Sequence, residues 1–105
     1  MTSTDRRKKL SKILHDILGS DNVYFDPPES VKMKYPAIVY TKSATNNRRA
    51  DNIRYISSDI YQVTFIHKDA DNEIVDAILD IPYTEMNRVF KVNDLRHCVF
   101  TTYIQ

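Results

Sequence analysis

The chain is poor in the residues that build disulfides, glycine-rich turns and membrane spans. Its 105 residues include one cysteine, one glycine and no tryptophan. A single cysteine cannot form an internal disulfide, and no apolar run reaches the roughly 20 residues that span a bilayer. Because the N-terminal stretch is charged and then amphipathic, we expect no signal peptide, no membrane partner and synthesis inside the cell.

An excess of charge of one sign is also lacking. Fifteen basic and fourteen acidic side chains give a formal net charge of +1. So weak a field does not favour a dedicated DNA-binding domain, which normally has a strong positive potential. Hydrophobic residues make up 42% of the chain, as is typical of a globular protein. The length fits one domain over residues 1–105.

Helical periodicity near the N-terminus predicts a first helix over about Thr4 to Leu18. Ser3 or Thr4 can cap its start, and Gly19, the only glycine, suits the left-handed position that closes a helix. Its first turns carry consecutive basic residues, Arg6–Lys9, which the positive end of the helix dipole disfavours. These residues mark either a partner-facing surface or a solvated helix end.

The rest of the chain predicts strands and a second helix. That helix is expected to be capped by Asp69 and Asp71, to run to about Asp80, and to be followed by Pro82. The predicted strand segments are Val23–Phe25, Pro36–Lys42, Asp59–His67, Val89–Val92 and Leu95–Ile104.

The order α, β, β, β, α, β, β favours the α+β class: a single small domain with a mostly antiparallel sheet and two helices packed on one face. A long polar β-arm or loop is expected between the second and third strands, from Ser43 to about Ser57. In the last strand, Val99 and Tyr103 alternate with Phe100 and Ile104, so we expect one face to meet the helices and the other a neighbour.

Two residue patterns could in principle support chemistry. His67, Asp69 and Asp71 could bind a divalent ion, but helix capping explains both aspartates. His97 and Cys98 are adjacent in a predicted strand, so their side chains are expected on opposite faces and cannot act as base and nucleophile. We therefore predict no catalytic residues, no metal site, no cofactor and no enzymatic activity.

The segment between the second and third strands is the most distinctive feature of the chain. It holds Arg48, Arg49 and Arg54, with Asp51 weakening the local positive field. Such a segment is a solvated loop, a protein contact or a phosphate-binding surface. Protein contact is favoured because tyrosines, which suit wet interfaces, cluster around it. These tyrosines are Tyr24, Tyr35, Tyr40, Tyr55 and Tyr61.

Short motifs in a consistent order resemble those of a known family. They are Val23-Tyr24-Phe25, Met33–Tyr40, Ala50-Asp51-Asn52 with Tyr55, Tyr61–Thr64 and Asn93–His97. Over about residues 10–104 the chain resembles small tail terminator, or tail completion, proteins of long-tailed double-stranded DNA bacteriophages, and related head-to-tail joining proteins look similar. The chain departs from the family pattern at Asp69-Ala70-Asp71-Asn72, where relatives have Asp-Pro-Asp-Ser.

The resemblance implies a structural virion protein at the head-proximal end of the tail, assembled in the bacterial host cytoplasm. Its copies would form a ring, expected to be a hexamer, that caps the tail tube and ends its polymerisation. The implied partners are other copies, the major tail tube protein, a neck or head-completion protein, and DNA passing through the lumen. The alternatives are another neck or head-completion component, or a small nucleic-acid-binding adaptor. The expected contact residues are Arg48, Arg49, Asp51, Arg54, Tyr55 and Tyr103.

Overall fold

The computed structural model describes residues 2–28, 32–50, 53–68 and 72–104, with backbone alone at residues 3, 44–50 and 53–58. The predicted fold class and element order are confirmed. The elements are α1 (Ser3–Leu18), β1 (Val23–Phe25), β2 (Ala37–Ala50), β3 (Ile53–His67), α2 (Glu73–Leu79), β4 (Thr84–Val92) and β5 (Leu95–Ile104).

Helix α1 is closed at both ends by local contacts. The Thr2 hydroxyl accepts a hydrogen bond from the Asp5 amide at 3.1 Å, and the Thr2 amide donates to the Asp5 carboxylate at 3.2 Å. Hydrogen bonding to the carboxylate, first by the Thr2 amide and then by the Thr2 side chain, holds the pKa of Asp5 below its ordinary value. The cap is thus Thr2, one residue before Ser3 and two before Thr4, the two predicted caps. Gly19 adopts the predicted left-handed conformation with φ of 73°.

The five strands form one sheet in the order β1-β2-β3-β5-β4. β1 pairs in parallel with β2, and the remaining neighbours are antiparallel. α1 lies over β1 and β2, whereas α2 lies over β4 and also contacts α1. The two helices therefore cover one sheet face, and we call the opposite face the open face.

The core lies between this sheet and the helices. Tyr61, Val63 and Phe65 alternate along β3 and are almost completely buried, as their spacing predicts. α1 contributes Leu10 and Leu14 on one helical stripe. The other buried residues of this cluster are Ile38, Tyr40, Ile78, Ile81, Cys98, Phe100 and Ile104.

The polar segment between the second and third strands is a β-hairpin arm. β2 and β3 continue through it, and their backbones stay paired as far as Ala50 and Ile53. β5 accompanies β3 only as far as the pair Asp59 and Ile104. We call residues 44–50 and 53–58 the hairpin arm. At the usual rise per residue it extends about 20 Å beyond the sheet.

Helix α2 has a different cap from the one predicted. The Asn72 side chain accepts a hydrogen bond from the Ile74 amide at 2.9 Å, which satisfies one of the donors left free at a helix start. Asp69 and Asp71, the predicted caps, lie outside the described residues. In the described part of the chain, neither helix is long and apolar enough to cross a membrane.

Candidate assembly interface

Strand β4 concentrates exposed hydrophobic side chains at one edge of the sheet. Val89, Phe90 and Val92 expose 50%, 37% and 46% of their surface, and every residue from Glu85 to Val92 is exposed. Among the described strands, β4 pairs with β5 alone. An edge strand of this kind can pair with a strand of another molecule through its backbone, and its exposed apolar side chains can pack against a partner surface.

A stacked group of side chains lies along part of this edge on the open face. The Phe90 ring lies 4.8 Å from the His97 ring at an interplanar angle of 13°, and the Arg88 guanidinium lies 5.1 Å from the Phe90 ring centroid. His97 Nδ1 is also 3.2 Å from the Leu95 carbonyl oxygen. His97 is therefore a packed side chain next to the edge.

Tyr103, a predicted contact residue, lies on the open face at the far end of β5. Its side chain is 39% exposed, and its amide donates to the Tyr83 carbonyl at 3.2 Å. Phe100 and Ile104 point into the core, so the predicted division of β5 into two faces is confirmed. Val99 is only 3% exposed within the protomer. Tyr103 can therefore meet a neighbour, whereas Val99 cannot without rearrangement.

The other predicted contact residues belong to the hairpin arm. Arg48, Arg49 and Arg54 lie on its strands near the far end, with Arg49 opposite Arg54 in the backbone register. Tyr55 lies on the same stretch of β3. Asp51 lies outside the described residues. The backbone pairing thus brings the three arginines of this segment to one end of the arm.

A buried charge cluster that sequence reasoning missed lies at the base of the arm. Asp59, with a fully buried side chain, lies 3.6 Å from Arg6 Nη1 and 3.7 Å from Lys42 Nζ. A register shift between Lys42 and Ala44 lies beside this cluster. Bulges of this kind bend a strand and redirect its side chains. The cluster ties α1 to the place where the arm leaves the sheet.

The buried cluster bears on whether the basic residues Arg6–Lys9 form a partner-facing surface or a solvated helix end. Arg6 is 6% exposed, so it is neither solvated nor partner-facing. Arg7 lies over the Phe25 ring at 5.0 Å from its centroid, a favourable cation–π geometry. Lys8 and Lys9 are exposed. The first turns therefore contain two residues used for packing and two that face solvent.

A cleft between α2 and β4 lies at the opposite end of the sheet from the arm. We call it the α2–β4 cleft. It encloses about 620 Å³. Glu73, Asp76 and Arg96 supply its charged groups, while Val75, Met86 and Val89 supply apolar surface. His67 and Cys98 also line it, and both are buried.

His67 and Cys98 form a contact that the sequence pattern does not reveal. Cys98 Sγ lies 3.5 Å from His67 Nε2, because β3 and β5 pair so that both side chains share the helix-covered face. Burial raises the pKa of the Cys98 thiol, and the positive charge of Arg96 opposes that shift only in part. A thiol held in its neutral form is a poor nucleophile. This geometry favours packing over covalent chemistry.

The two chemical patterns of the sequence have different outcomes. His97 and Cys98 do lie on opposite faces, since His97 stacks on Phe90 and Cys98 belongs to the core. The expectation that His67, Asp69 and Asp71 form no metal site stays a prediction, because both aspartates lie outside the described residues. Among the residues that are described, no group of three or more histidine, cysteine, aspartate or glutamate side chains could hold a metal ion.

Comparison with known proteins adds no assignment to this geometry. No protein-family model matches the chain, and no curated protein matches its sequence.

Proposed function

We propose that the protein is a structural component of a bacteriophage virion that caps the head-proximal end of the tail tube as a ring. In this role it ends polymerisation of the tube and presents a docking surface to the neck. The ring is expected to be a hexamer. The other copies, the major tail tube protein and a neck or head-completion protein are its partners, and DNA passes through its lumen.

The observation that carries the proposal is that one small protomer has both an exposed edge strand, β4, and a protruding hairpin arm. β4 offers an edge with exposed Val89, Phe90 and Val92. The hairpin arm extends beyond the point where β5 stops pairing with β3. A ring cap needs at least two dissimilar contact surfaces, one for its neighbours and one for the tube or neck. The phage tail is proposed as the place of assembly because the sequence motifs resemble those of tail terminator proteins.

The test is a mass measurement of the purified protein, alone and mixed with its tail tube protein. We expect rings of uniform mass, or protein bound at tube ends, in at least one of the two conditions. A protein that stays monomeric and never engages tube ends contradicts the proposal. Free monomers without the tube do not, since the tube end can template the ring.

A matched pair of variants tests whether the β4 edge is used. Val92→Glu introduces charge at an exposed position of the edge strand outside the α2–β4 cleft, and we expect ring formation or tube binding to weaken by about tenfold or more. Leu79→Glu, at a position 37% exposed on α2, is the control and should leave assembly unchanged. Equal effects of the edge and control variants would remove β4 from the interface.

A further inference from the structure

We propose that the α2–β4 cleft of one copy receives the arginine-bearing end of the hairpin arm of a second copy. This inference rests on the proposed ring and names the contact between its neighbouring subunits.

The arm of a copy cannot fill the cleft of the same copy. The cleft includes His67, at one end of β3, whereas the arm occupies the other end, from Ile53 to Ser58. β3 has 15 residues, so its ends lie about 45 to 50 Å apart when the strand is extended. The longest dimension of the protein is 51 Å, which matches such an extended strand. The arm therefore points away from its own cleft.

The chemistry of the arm and of the cleft is complementary. Among its charged groups the cleft has two carboxylates, Glu73 and Asp76, against one guanidinium, Arg96. The whole polar segment from residue 44 to residue 58 contains three arginines and one aspartate. Opposite net charges favour the encounter and disfavour the wrong pairings.

The cleft and the arm also both have apolar residues. Met86 and Val89 in the cleft are 37% and 50% exposed in the protomer, so they lose water contact when the cleft is filled. The arm sequence includes Ile53 and Ile56 beside Arg54. A strand that carries arginine and isoleucine side chains suits a cleft with apolar walls and carboxylates.

The proposed contact is heterologous, because arm and cleft are different surfaces of the same chain. Contacts of this kind lead from one copy to the next and close into a ring when the rotation between copies allows it. Because the arm lies at one end of β3 and the cleft at the other, such contacts link successive copies into the ring proposed for the tail cap.

A charge-swap experiment tests the contact. One variant, Glu73→Lys/Asp76→Lys, reverses the cleft, and the other, Arg48→Glu/Arg49→Glu, reverses the arm. We expect each variant alone to self-associate at least about tenfold more weakly than the native protein, because like charges then face each other. Their equimolar mixture should recover hetero-association, since the reversed arm fits the reversed cleft. Sedimentation of each sample over a range of protein concentrations measures these changes.

Controls separate the contact from net charge. Asp16→Lys/Asp21→Lys makes the same change at two exposed positions away from the cleft and should associate like the native protein. Circular dichroism and urea unfolding must show all variants folded; for a variant that is not, the conservative Glu73→Gln/Asp76→Asn or Arg48→Gln/Arg49→Gln replaces it and should weaken association by a smaller factor.

Three results would overturn the inference. They are native-like association of either reversed variant, a mixture no stronger than its components, and a native protein that stays monomeric at all concentrations. Binding of the native protein to tube ends, measured in parallel, reports on the proposed function separately. Tube-end binding that survives both charge reversals would keep the tail cap and discard the arm-in-cleft contact.

Discussion

At the scale of single residues, the most informative one is Asp59, because its burial could not be predicted. The sequence places it at the start of an alternating strand, where an acidic residue normally faces solvent. In the structure its carboxylate is fully buried between Arg6 of α1 and Lys42 of β2. The three residues come from distant parts of the chain, so only the packed elements bring them together. Local patterns carry no signal for such a cluster.

Replacing Asp59 should strongly destabilise the fold. Asp59→Asn removes the negative charge and leaves Arg6 buried without its ionic partner, which typically costs about 3 to 5 kcal/mol. Urea unfolding at neutral pH measures the loss. Asp16→Asn, at an exposed position of α1, is the control and should change the free energy of unfolding by less than about 0.5 kcal/mol. Similar effects of the two changes would show that the buried cluster contributes little.

Stability should also fall in alkaline solution. Burial, followed by the negative charge of Asp59, raises the pKa of the Tyr61 phenol above its ordinary 10.0, and burial raises the pKa of the Cys98 thiol above its ordinary 9.0. Both groups lose their protons first in the unfolded chain. Their contribution to stability is therefore complete below pH 9.0 and decreases as the pH rises through these values.

Urea unfolding at a series of pH values between neutrality and about pH 10.5 checks this prediction. Tyr61→Phe, which lacks the ionisable hydroxyl, should lose less free energy of unfolding than the native protein over the same interval. A native profile that is flat across this range would contradict the assignment of both buried groups.

At the scale of elements, the sequence predicts well wherever side-chain periodicity decides the structure. The apolar stripe of α1, the closing conformation of Gly19 and the alternation of Tyr61, Val63 and Phe65 all follow from spacing. The fold class could be predicted for the same reason. The extent of the hairpin arm could not, because its strands are paired through the backbone and their residues are mostly polar. Such a segment does not alternate, so it also fits a loop.

Removing the hairpin arm should leave the domain folded. All core residues that the structure describes lie outside the arm. A variant in which an Asn-Gly turn replaces residues 47–57 keeps the pair Asn46 and Ser58 and should preserve cooperative unfolding. Its free energy of unfolding should change by only about 1 to 2 kcal/mol, because a shorter connection also lowers the entropy of closure.

The same variant should assemble poorly, since the arm is the proposed contact with a neighbour. Thermal unfolding and sedimentation, performed on one preparation, separate the two effects. Loss of cooperative unfolding would show that the arm belongs to the folding unit, and native-like assembly would exclude it from the interface.

At the scale of the whole molecule, the sequence motifs predict an assembly protein, and the structure shows which surfaces of the protomer are exposed for contacts. The arm and the α2–β4 cleft lie at opposite ends of β3, and β4 forms an exposed edge beside the cleft. The cleft could not be predicted, because its lining comes from β3, α2, β4 and β5. Its residues are adjacent only after the sheet has formed.

The most direct test of the proposed tail cap is electron microscopy of phage particles produced without this protein. A cap that ends tube polymerisation and joins the tail to the neck predicts tails that are overlong, or tails of any length that are not attached to heads. Restoring the native gene product should restore uniform, attached tails. Particles with tails of normal length that are joined to heads in the absence of the protein would contradict the central claim.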